Sequence, residues 1–104
     1  MQVDVLVIEG CVGRSRAVSL VRAALDTVGH PEVPVGELVV ASEADARGLD
    51  FRGSPTIVVD GADLLPEGPR VERLACRVYA TWSGLADVPD AEVVVAALRC
   101  RLDG

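Results

Sequence analysis

A chain of 104 residues, half of them apolar, has the size of one domain over residues 1–104 with one core. No apolar run approaches the ~20 residues of a membrane span, and the start lacks the pattern of a secretory signal, so a cytoplasmic protein with no membrane partner is expected. Sixteen acidic and ten basic residues give a net charge of −6, and every basic residue is Arg, scattered along the chain, which argues against a nucleic-acid partner.

Val3 to Ile8 is a short apolar run closed by Glu9-Gly10 and reads as a buried strand. Cys11 follows at once. From Ser15 to Val28 the residues Val18, Leu20, Val21, Ala24, Leu25 and Val28 keep a helical period, with Arg16, Arg22 and Asp26 on the other side. Gly29, then His30-Pro31, stops that helix, and His30 reads as a turn residue. Val35 to Val40 is a second strand, and Ser42 caps a short acidic helix, Glu43 to Gly48. Gly53-Ser54-Pro55 leads into a third strand, Thr56 to Val59. Proline placed at the opening of a strand sacrifices no ladder hydrogen bond. Asp60-Gly61 turns the chain into a fourth strand around Asp63 to Leu65.

Pro66-Glu67-Gly68-Pro69 breaks regular structure. Between Arg70 and Thr81 two periods compete: Val71, Leu74, Ala75 and Val78 suit a helix, whereas Cys76, Val78 and Ala80 alternate as in a strand. Tyr79 and Trp82 are expected at the core. Pro89 opens a last helix, with Asp90 and Glu92 in its first turn and Arg99 and Arg101 in its last, matching the helix dipole.

The three cysteines, Cys11, Cys76 and Cys100, contain no CxxC, and with the single His30 they offer no four-ligand zinc spacing. Neither metal nor cofactor is expected. Cys76 reads as a small buried hydrophobe or a candidate second thiol, and Cys100, on the last helix, as structural.

The order strand, helix, strand, short helix, strand, strand, helix, with Cys11 after the first strand and Gly53-Ser54-Pro55-Thr56 before the third, resembles the thioredoxin-like superfamily. Within it the chain is similar to small monothiol bacterial proteins that go by the name alkylmercury lyase, which share a lone early cysteine, the Gly-Ser-Pro-Thr segment and a later stretch like Cys76-Arg77-Val78-Tyr79. The resemblance implies a three-layer α/β fold: a central mixed four-stranded sheet flanked by helices, with an insertion before the last helix. It also implies a cis Pro55 lying against a reactive Cys11.

On that reading Cys11 is the nucleophile, and Arg14 with the helix end stabilises its thiolate. The backbone at Ser54, Pro55 and Thr56 would receive an extended thiol substrate by strand addition. The family's second cysteine is replaced by Arg14, which leaves two routes for turnover: a mixed disulfide with a small thiol, or a remote resolving thiol such as Cys76. The implied function is thiol–disulfide exchange or thiol transfer with a low-molecular-weight thiol or a protein thiol. The alternatives are a non-catalytic binding or assembly module, as a homodimer or an enzyme's companion, and metal or organomercurial thiol chemistry.

Overall fold

The computed structural model describes residues 1–66 and 73–103. The expected break at Glu67-Gly68-Pro69 and the first part of the ambiguous segment, through Glu72, lie outside the described residues.

The described residues form a mixed α/β fold with three helices among them. Its main sheet has the order β2-β1-β3-β4, built from β1 (Val3–Val7), β2 (Val35–Val39), β3 (Thr56–Val59) and β4 (Ala62–Asp63). β1 runs parallel to β2, across the crossover helix α1 (Arg14–Thr27), and antiparallel to β3. Asp60 and Gly61, both at positive φ (52° and 85°), make the tight turn from β3 into antiparallel β4.

Alternation along the strands divides the apolar residues between two faces. Val3, Val5, Val7, Ile57 and Val59 pack with Ala17, Val21 and Leu25 of α1 and with Val94 and Leu98 of α3 (Ala91–Asp103). Leu6 and Val58 point the other way, onto Phe51, Val40 and Ala46 of α2 (Glu43–Arg47).

Helix ends follow their local chemistry. The Ser42 hydroxyl accepts from the Asp45 N–H, as an N-cap does. At the end of α1, His30 N–H reaches Leu25 C=O and Gly29 N–H reaches Asp26 C=O, a Schellman closure with Gly29 at φ 88°. The last helix differs from expectation: Arg101 alone supplies its basic last turn. The Arg101 guanidinium donates instead to the carbonyls of Val59 and Asp63, both at 3.0 Å, and so ties α3 to the β3–β4 hairpin.

From Arg73 on, the ambiguous segment resolves as extended chain, in the phase opposite to its apolar residues. Arg77 and Tyr79 point inward, while Cys76, Val78 and Ala80 face out. The expectation of a buried Cys76 is therefore corrected. Asp63, only 2% exposed, supplies the buried carboxylate that draws Arg77 inward.

Beyond it, β5 (Tyr79–Thr81) and β6 (Gly84–Ala86) form a separate two-stranded hairpin before α3. Trp82 sits in its two-residue turn and is 84% exposed, so the core position expected for it is also corrected, whereas Tyr79 is buried. Cys100 is exposed on α3.

Candidate functional site

Two sequence segments far apart in the chain lock onto each other. Gly53, at φ 105°, lies so close to Arg77 that a Cβ placed on it would stand 2.8 Å from the Arg77 Cβ and 3.1 Å from its backbone. Only glycine suits that approach. The Ser54–Pro55 peptide bond is cis. Ser54 N–H donates to Ala75 C=O (2.8 Å) and Arg77 N–H donates to Ser54 C=O (2.9 Å), an isolated parallel bridge that sets Cys76 opposite Ser54. The Tyr79 hydroxyl donates to Pro55 C=O at 2.5 Å. Thr56, fully buried, donates its hydroxyl to Gly53 C=O and accepts from Arg52 N–H.

Beneath this junction lies a buried ion network. Asp63 accepts from Arg77 (2.8 Å) and from Arg52 (3.3 Å), and Arg52 also donates to Asp50 (2.7 Å). Hydrogen bonding to Asp50 holds the Arg52 guanidinium above its already high ordinary pKa. The Arg77 guanidinium also lies 4.5 Å from the centre of the Tyr79 ring. Fully satisfied networks of this kind fix one arrangement of the chain.

Cys11 is half-buried in the turn that precedes α1. Its N–H donates to Ile8 C=O, and its own C=O accepts from Arg14 N–H. Cys11 ends one turn, which contains Gly10 at φ 74°, and begins a second that leads to Arg14, so it stands just ahead of the helix, whose N-cap is Gly13. Arg14 Nε donates to Glu37 at 2.6 Å, in an exposed ion pair with β2, so its charge is shared with a carboxylate.

Cys11, Ser54 and Cys76 line one cavity of about 400 Å³, whose wall also includes Val12, Val78 and Leu85. Asp87 closes one side and is ion-paired with Arg16. Of the residues read as substrate-binding, Ser54 reaches this cavity. Pro55 and Thr56 are buried and turn their polar groups to the chain itself. The Ser54 hydroxyl accepts from Ile8 N–H at 2.9 Å and so ties the cis-proline segment to the end of β1.

Asp63 and Asp87 were not legible as site residues. Asp63 reads in sequence as part of the fourth strand, and nothing there marks it as the partner of a buried Arg77. Among the described residues, no group of three His, Cys, Asp or Glu side chains is placed to hold a metal ion, and no helix is long and apolar enough to cross a membrane. Compared with known protein families, curated proteins and solved structures, the chain matches none.

Proposed function

We propose that this chain is a thioredoxin-like protein that acts through Cys11 in thiol–disulfide exchange or thiol transfer. The single observation that carries the reading is the cavity Cys11 shares with Ser54, the residue before a cis proline. The strand order β2-β1-β3-β4, with α1 crossing between parallel β1 and β2, supports the fold half of the proposal. A cavity of about 400 Å³ walled by Val12, Val78 and Leu85 suits a small molecule with an apolar portion. The partner class is accordingly a low-molecular-weight thiol or disulfide.

The experiment treats the reduced full chain with a small organic disulfide, hydroxyethyl disulfide, and maps adducts by mass spectrometry. Cys11 is expected to react first, with Cys76→Ser retaining the adduct and Cys11→Ser losing this fast phase. Equal slow reaction at all three cysteines would overturn the reading.

A second reading, a binding or assembly module, is favoured by one specific observation: Val12, Val78, Trp82 and Leu85 expose apolar surface around the cavity mouth and the neighbouring hairpin. An inert Cys11 would decide for it. Organomercurial chemistry is not favoured: Cys11, Cys76 and Asp87 line one cavity but, among the described residues, form no group placed to hold a metal ion, and the carboxylate is paired with Arg16.

A further inference from the structure

The edge at which an extended substrate would add to Ser54 is already filled by the chain itself. Both main-chain hydrogen-bonding groups of Ser54 are used, one by Ala75 and the other by Arg77. Arg77 and Tyr79 anchor that segment from below, through the buried Asp63 carboxylate and the Pro55 carbonyl. Between Ala75 and Arg77 the chain presents Cys76, exposed and in no disulfide, in the wall of the cavity that Cys11 also lines. A continuous path of hydrogen bonds links the two thiol-bearing segments. Ser54 bonds to the residues flanking Cys76, its hydroxyl takes the Ile8 N–H, and Ile8 C=O takes the Cys11 N–H. Cys100 lines no part of this cavity.

We infer that Cys76 is the internal resolving thiol of Cys11, and that the oxidant this pair accepts is a small disulfide rather than a polypeptide strand. The inference rests on the proposed reactivity of Cys11.

The exchange balances in two steps. The Cys11 thiolate attacks one sulfur of a small disulfide RSSR, forming the Cys11–SR mixed disulfide and expelling RS⁻, which takes up a proton. Cys76, after giving up its own proton, attacks the Cys11 sulfur, forms the Cys11–Cys76 bond and expels the second RS⁻, which is protonated in turn. The protein dithiol is oxidised by two electrons and RSSR is reduced to two RSH. Excess small thiol reverses both steps. A polypeptide disulfide would have to displace the Ala75–Arg77 segment first, which costs two main-chain bonds and the Arg77–Asp63 pair.

The test oxidises the full chain with glutathione disulfide, counts free thiols and maps the linked peptides. The wild type should lose two of its three thiols without retaining an adduct, with the Cys11 and Cys76 peptides joined. Cys76→Ser should stop at a stable Cys11 mixed disulfide, and Cys100→Ser should behave as wild type. Reduction of insulin by the reduced protein should be at least tenfold slower than its reaction with glutathione disulfide. A lasting Cys11 adduct in the wild type, or a Cys11–Cys100 link, overturns the inference while leaving the Cys11 reading intact. An unreactive Cys11 overturns both.

Discussion

At the scale of single residues, the site is held by polar groups that face inward. Tyr79 is the only tyrosine in the chain, and its hydroxyl donates to Pro55 C=O in a buried setting. Burial pushes its pKa well above the ordinary 10.0; the Asp63 carboxylate adds to the rise and Arg77 opposes it. Above pH 10 the unfolded chain releases the tyrosine proton while the folded chain keeps it, so stability falls as pH rises through that range. Tyr79→Phe should remove this alkaline loss and, at neutral pH, cost about 1–3 kcal/mol for the bond and its orphaned carbonyl. Urea unfolding of both proteins at neutral and alkaline pH checks both parts. Asp63→Asn should cost more, about 3–5 kcal/mol, because it leaves the buried Arg77 charge without its counter-ion. The readout is the urea midpoint at pH 7, and a cost below 1 kcal/mol would show that the network carries little of the stability.

At the scale of elements, the regular parts of the fold were legible because their apolar residues keep a period and their ends carry capping chemistry. Ser42, Gly29 and Asp60-Gly61 mark boundaries by local geometry alone, and the structure places each where the sequence does. The segment around Cys76 was not legible for a physical reason. Its inward phase is set by an arginine and a tyrosine, whose partners Asp63 and Pro55 come from elements far away in sequence. The hairpin β5–β6 was missed although Trp82-Ser83-Gly84 carries a turn signal, with Gly84 at φ 110°. The candidate site was half legible: Cys11 and Ser54 meet at one cavity, whereas the ion pair of Arg14 with Glu37 depends on the β1–β2 register. The face of the sheet under α2 rests on Phe51, the one phenylalanine and fully buried. Phe51→Ala should therefore cost about 3–5 kcal/mol and loosen α2, seen as faster amide exchange at Ala46 than in α1.

At the scale of the whole molecule, a bond between Cys11 and Cys76 would join the entrance of α1 to the segment that leads into the second hairpin. The closed loop spans some 65 residues, more than half of the chain. Cross-linking a loop of that length removes conformational freedom mainly from the unfolded ensemble, worth about 4 kcal/mol on the chain-entropy account. The folded state already holds the Cys76 segment in place through Ser54, Asp63 and Pro55, so the bond orders little that is not ordered before it forms. For a domain whose total stability is typically ~5–15 kcal/mol, the difference is large. The oxidised wild type should unfold at a clearly higher urea concentration than the reduced protein. Its m value should be smaller, because a cross-linked unfolded chain exposes less surface. Cys11→Ser and Cys76→Ser should show no dependence of the midpoint on oxidant, and Cys100→Ser should show the full effect. Equal midpoints for oxidised and reduced wild type, with the bond confirmed by peptide mapping, would mean that closing it strains the folded state by as much as it restrains the unfolded one. The pair would then be poised for easy reduction rather than for structural reinforcement.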